Sequence, residues 1–184
     1  MGPGRAVDNR EPAPDLYRVL FVCTGNVCRS VIAAKVLRRE LAAAGLAAEV
    51  GSAGLRIEQP GAPADDGAAQ LLTARGYDTS HAVRPFQAGM FAAYDLIVAL
   101  DGNHQWVLRQ LAPDAAAAAR IRLLGSFDPA AGAGWDVPDP VGGDSSDYER
   151  TFRLIVSAMP GLVAAIADRQ PRTPGLAPGP PDGG

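Results

Sequence analysis

Cysteine is nearly missing from this chain: its 184 residues include two, Cys23 and Cys28. A disulfide scaffold needs more than that, and a cytosolic chain normally keeps its thiols reduced. Lysine is scarcer, with Lys35 alone; every other basic residue is arginine, a bias that fits a GC-rich bacterial genome. No run of 18 apolar residues occurs, so neither a membrane-spanning helix nor a membrane partner is expected. Residues 1–14 lack the apolar stretch of a signal peptide, and Ala6 stands where a myristoylation pattern needs Ser or Thr. A cytoplasmic protein is expected. A basic excess is also missing: 17 Lys and Arg face 20 Asp and Glu, a net charge of −3, which argues against nucleic-acid partners.

What is present fits an ordinary soluble protein, 47% hydrophobic and 20% charged. The length suits about one domain, by a prior of roughly 150 residues each. Residues 1–14 read as a disordered arm. Residues 170–184, rich in Pro and Gly, read as a disordered tail. The unit between them, 15–169, shows no internal repeat and is expected to be a monomer.

Four short apolar runs predict strands at 17–23, 48–53, 94–100 and 120–124. The first and third are almost continuously apolar, as parallel strands covered on both faces are. Helical spacing predicts helices over 30–44, 63–75, 103–111 and 146–169, with Pro160 set to kink or break the last. Strands alternating with helices make a doubly wound, parallel α/β sheet. Ligands in such sheets sit beyond the carboxyl ends of strands, so chemistry is sought in the loop after each strand.

The loop after the first strand reads Cys23-Thr24-Gly25-Asn26-Val27-Cys28-Arg29-Ser30 and opens a helix. Successive backbone N–H groups and the positive end of a helix converge there, a nest for an anion such as phosphate. Gly25 and Asn26 tolerate the left-handed backbone that a tight cradle needs. Arg29 adds a planar fork matched to phosphate oxygens. The same field favours a Cys23 thiolate, helped by the Ser30 hydroxyl, and a thiolate on the floor of a phosphate cradle is an in-line nucleophile.

These residues carry a resemblance. Residues 19–30 are similar to the signature of the low-molecular-weight protein tyrosine phosphatases. The similarity continues through Ser52-Ala53-Gly54, Ser80-His81 with Arg84, Ala99-Leu100-Asp101 with Asn103, and Asp139-Pro140. It implies a four-stranded parallel sheet in the order 2-1-3-4 and hydrolysis of protein phosphotyrosine through a phosphocysteine intermediate, without cofactor or metal. It implies Cys23 as nucleophile, Arg29 as phosphate clamp, and Asp139 as general acid and then base. Asp128 and Asp136 lie close enough in sequence to compete for that last role. Thr24, Gly25, Asn26, Val27, Cys28, Arg29 and Ser30 would hold the phosphate. His81 would bond Asn26, Ser52 would buttress the loop, and Cys28 would trap oxidised Cys23 as a disulfide. Asp101 also matches, without a defined chemistry. His104 is expected to be a surface residue at the start of a helix.

Three features depart from the family. Val31 replaces a frequent Pro. Val141-Gly142-Gly143 follows Asp-Pro where many members have Tyr, and Leu55-Arg56-Ile57-Glu58 replaces an aromatic after Ser-Ala-Gly. Leu55, Ile57, Val141 and Tyr148 are candidates to rebuild the wall against which a phosphotyrosine ring stacks. A related branch acts on phosphoarginine; Val27 speaks for tyrosine, and Val141-Gly142 leaves that branch open. Further readings are a non-catalytic phosphate-binding module and a zinc site from Cys23, Cys28, His81 and His104, whose spacing fits poorly. An arsenate reductase would need cysteines after Cys28.

Overall fold

The structure, a computed structural model, describes residues 16–130, 132 and 134–169. The arm (1–14) and tail (170–184) lie outside the described residues.

Strand β1, Tyr17–Cys23, is central because its residues Val19 to Cys23 are buried on both faces. Val19 and Phe21 point into one core with helices α1 (Arg29–Ala43) and α6 (Ser145–Ala167). Leu20 and Val22 point into the other, with Phe91, Ile97, Leu108 and Ile121. This alternation is the period of two that a strand imposes. Strand β2 (Ala48–Gly54) pairs on one side in the register Tyr17↔Ala48 to Cys23↔Gly54. Strand β3 (Leu96–Ala99) pairs on the other, and β4 (Ile121–Leu123) pairs with β3. The order is β2-β1-β3-β4, all parallel, as the resemblance implied.

The remaining helices are α2 (Asp66–Ala74), α3 (Met90–Ala93), α4 (Gly102–Leu111) and α5 (Ala115–Ala119). Asp65, Asp101, Asp114 and Asp144 cap α2, α4, α5 and α6 by accepting first-turn N–H groups. Neither α3 nor α5 was foreseen: one is a single turn, and the other is a run of alanines with no amphipathic pattern. The last strand is shorter than expected, since a 3-10 turn, Leu124–Phe127, takes over at Leu124.

Helix α6 runs through Pro160 instead of breaking there. The missing N–H leaves the Val156 carbonyl without its partner four residues on, at a residue that is itself exposed. By length and composition α6 would suffice to cross a membrane. Here Ile155, Ala158, Met159, Leu162 and Ile166 form a buried stripe in the first core.

Candidate active site

The loop after β1 folds back over the end of the sheet. The Cys23 and Thr24 carbonyls accept the Leu55 and Arg56 N–H groups, so the chain leaving β2 braces one side. Gly54 permits this approach: a Cβ there would stand 2.8 Å from Thr24 O and 3.0 Å from Asn26 N.

Asn26 is the pivot. Its φ of 55° is the one positive value at a non-glycine among the described residues, and its exposure is 0%. Left-handed backbone costs an L-residue about 1–2 kcal/mol, and three hydrogen bonds hold it. His81 Nε2–H donates to Asn26 O at 2.7 Å, the Arg84 N–H donates to Asn26 Oδ1 at 3.0 Å, and Asn26 Nδ2 donates to Ser30 Oγ at 3.0 Å. Ser30 Oγ also lies 3.0 Å from Cys23 Sγ, a bond in which either atom can donate and in which the hydroxyl would donate to a thiolate. Burial lowers the His81 pKa from its ordinary value, more than its bond to Asn26 raises it, so the ring bonds Asn26 in its neutral form.

Helix α1 starts at Arg29 with Cys28 in the cap position and no side-chain cap. Among the described residues the N–H groups of Gly25, Asn26, Val27 and Cys28 donate to no protein acceptor. Unpaired N–H groups at the positive end of a helix constitute an anion nest. Cys28 is itself buried, and burial first, then Asp65 and Asp139, pushes its thiol well above the usual range. It therefore favours its protonated form.

The Arg29 side chain, 6% exposed, bridges two carboxylates: Nη1 donates to Asp101 Oδ2 at 2.9 Å and Nη2 to Asp139 Oδ2 at 2.7 Å. Nη1 also donates to Val137 O at 3.2 Å. The expected clamp and the expected acid are thus joined. Asp139 is half exposed, at 48%. Of its two rivals, Asp136 Oδ1 accepts the Gly102 N–H at the head of α4, and Asp128 accepts from Trp135 Nε1 and Ser157 Oγ.

Three expectations are corrected. His104 is not a surface residue: at 1% exposure it sits inside α4's first turn, with Nε2 2.8 Å from Thr24 Oγ1. Its Nδ1 lies 2.9 Å from Asp101 Oδ1, close but poorly aligned for a hydrogen bond. Burial raises the Asp101 pKa, but the His104 contacts and Arg29 more than offset this and bring it down to about 2, so Asp101 is a fixed anion behind Arg29. Second, no hydrogen bond joins the Ser52 hydroxyl to the cradle among the described residues. The Ser52 carbonyl accepts Arg84 Nε at 2.7 Å, and the Arg84 backbone supports Asn26. Third, Leu55 packs in the second core, and Tyr148 is buried with its hydroxyl donated to Asp65 at 2.6 Å. Of the four wall candidates only Val141 lines the mouth, a cavity of about 400 Å³ shared with Arg56, Glu58, Gln59 and Asp139. Asp65 in turn donates its N–H to Val27 O, tying the cradle to α2 and α6. His81 and His104 each meet a cradle residue instead of converging with the cysteines, which removes the zinc arrangement.

The sequence signal for Asp101 and His104 was an Asp-x-x-His helix start, legible as a cap but silent about Thr24 eighty residues away. Arg84 matched a motif with no role attached.

A model of the low molecular weight phosphotyrosine protein phosphatase family matches residues 18–172. The low molecular weight protein-tyrosine-phosphatase of Streptomyces coelicolor is 44% identical over 83% of this chain and 95% of its own. Low molecular weight protein-tyrosine phosphatase A of Mycobacterium tuberculosis is 47% identical over 86% of this chain and 96% of its own. A crystal structure of a low molecular weight phosphotyrosine phosphatase from Vibrio cholerae superposes with a TM-score of 0.77 at 31% identity, covering 84% of this chain and 99% of that one. With these sequences and this fold in agreement, the chain belongs to the low molecular weight phosphotyrosine protein phosphatase family.

Proposed function

We propose that the protein hydrolyses phosphotyrosine in protein substrates, with Cys23 as nucleophile, Arg29 as clamp and Asp139 as general acid and base. The observation that carries this is Cys23 Sγ, hydrogen-bonded to Ser30, beside a loop of unpaired N–H groups whose Arg29 reaches Asp139 at 2.7 Å. The phosphate dianion takes the N–H groups of residues 24–30 and displaces Asp139 from Arg29. Released from Arg29, Asp139 acts as the acid in its protonated form. The Cys23 thiolate attacks phosphorus in line. The P–O bond to the ring breaks as Asp139 passes its proton to the departing phenolate. Asp139, now a base, takes a proton from water, whose oxygen attacks phosphorus and releases the thiolate. The cradle donors follow the charge of the equatorial oxygens through both steps. Every step uses groups of this chain, so the reading requires neither cofactor nor metal.

One observation favours a second reading, hydrolysis of phosphoarginine: among the described residues no aromatic side chain lines the mouth, and Glu58 does. Turnover of matched phosphotyrosine, phosphoarginine and phosphoserine peptides separates them. Preference for phosphotyrosine supports the first reading, preference for phosphoarginine replaces it, and failure on all three overturns both.

A further inference from the structure

A second polar cavity, of about 350 Å³, lies along the outer edge of the sheet between α1 and β2, away from the mouth. Lys35 and Arg38 of α1, Gly51 of β2, and Ser80, His81 and Arg84 line it. Its charge is unusual for a chain of net charge −3. Lys35 is paired with Asp78 and bonds Ser80 O, and Glu49, also at the cavity, is paired with Arg18. Among the described residues neither Arg38 nor Arg84 pairs with a carboxylate.

Both guanidinium groups are nevertheless positioned. Arg38 Nη2 donates to Val50 O, Arg84 Nε donates to Ser52 O, and Arg84 Nη2 donates to Tyr94 Oη at 2.9 Å. The two carbonyls lie on β2, the edge strand, so the arginines cover an otherwise open edge. That accounts for their anchoring but not for leaving two cations without a counter-charge, each with further donors in its fork. Gly51 makes the arrangement possible, since a Cβ there would stand 2.5 Å from Arg84 Nη2 and 2.6 Å from Tyr94 Oη.

We propose that this cleft binds a small anion carrying a diphosphate group, at a site separate from the cradle. Two planar forks held from one side by backbone carbonyls suit neighbouring phosphate groups, which they bond through several N–H donors at once. The site adjoins the cradle's supports, because the residues that line it, His81 and Arg84, also hold Asn26.

The test uses the full chain with its cradle saturated by orthovanadate, titrated calorimetrically with inorganic pyrophosphate. One equivalent is expected to bind, roughly tenfold or more weaker in Arg38→Gln and in Arg84→Gln, and weaker as salt rises from about 0.05 to 0.5 M. Arg38→Gln should turn over p-nitrophenyl phosphate as the parent does, which certifies its fold. Running ADP beside pyrophosphate distinguishes the sources of the group. Equal affinity assigns the site to the diphosphate alone, and tighter binding of ADP assigns it to a nucleoside diphosphate. No binding to the vanadate-filled protein, or binding unchanged in Arg38→Gln, overturns the proposal.

Discussion

The cradle and the loop that carries Asp139 meet at one ion pair, yet they are built in opposite ways. In the cradle, Cys23, Asn26, Cys28, Arg29 and Ser30 are all buried, and Asn26 alone makes three hydrogen bonds, two to the loop that carries His81 and Arg84 and one to Ser30 of α1. In the acid loop, Val137 is buried and its N–H donates to Leu100 O, while Thr151 holds the Pro138 carbonyl. Beyond that point cover thins: Asp139, held by Arg29 Nη2 and the Val141 N–H, is half exposed, and Val141 is 49% exposed. In the proposed roles, a nucleophile and its anion nest work by keeping their place, which suits positions that are over-determined. An acid that must exchange a proton and release a leaving group in every cycle needs water beside it. Rigidity is placed where charge is stabilised, and exposure where protons are exchanged.

The strongest way to break the comparison is at its rigid end. Cys23→Ser is expected to abolish turnover while vanadate still binds, since the N–H groups and Arg29 remain; residual hydrolysis in that variant would rule out the phosphocysteine route. Arg29→Lys should be nearly as inactive, because a point charge does not replace the fork.

At the exposed end, Asp139→Asn should slow cleavage of phosphotyrosine by roughly 10²–10⁴-fold, the usual contribution of a positioned acid. It should slow phosphoenzyme formation from p-nitrophenyl phosphate less, since p-nitrophenolate leaves with little help. Asp136→Asn should lack this leaving-group dependence, its carboxylate being held at Gly102. Rapid-mixing kinetics of the first step on both substrates checks the assignment.

Removing the pivot tests rigidity itself. Asn26→Ala leaves the Arg84 N–H and the Ser30 hydroxyl without their partner, and should lower stability by about 1–3 kcal/mol in urea titrations as well as slowing turnover. An equally stable, equally active variant would show that the cradle is not held through this residue.

A smaller effect sharpens the same point by pH. Burial places the His81 pKa below its ordinary 6.5, so below that value the unfolded chain takes up the proton first. The stability that His81 contributes is therefore full above about pH 6.5 and is lost as pH falls through the folded value. Urea midpoints should fall more between about pH 7.5 and 5.5 in the parent than in His81→Gln. Parallel declines would assign the loss to other groups.

The mildest variant is Cys28→Ser, a small change at a buried site. Basal turnover should change little. After mild peroxide, dithiothreitol should restore the parent and not the variant, because only the parent can close a disulfide on oxidised Cys23. Equal recovery would leave Cys28 as packing alone.

Much of this was legible in the residues. The apolar run from Val19 to Cys23 in β1 announced a strand buried on both faces, because a period-two stretch with no polar position has no face to give to water. Gly25, Asn26 and Arg29 in one loop between a strand and a helix announced an anion cradle, because backbone handedness and helix-end charge are local properties. Local pattern also overstated itself: Pro160 signalled a break that α6 does not make, the lost hydrogen bond falling at an exposed residue, Val156.

What the chain determined by itself, then, is what depends on neighbours within a turn or a strand: the parallel α/β class and the tight loop between β1 and α1. What only the tertiary structure decided is which distant groups meet. Three aspartates competed on paper for Asp139's role, and two are held elsewhere while Asp139 reaches Arg29 across 110 residues. His104 looked like a surface residue until α4 packed it against Thr24. Tyr148, one of four candidates to rebuild the ring-stacking wall, does not do so, because its ring packs under α2 with its hydroxyl on Asp65. Such contacts follow from how helices seat on the sheet, and local periodicity, which records whether a side chain is covered, does not record by what.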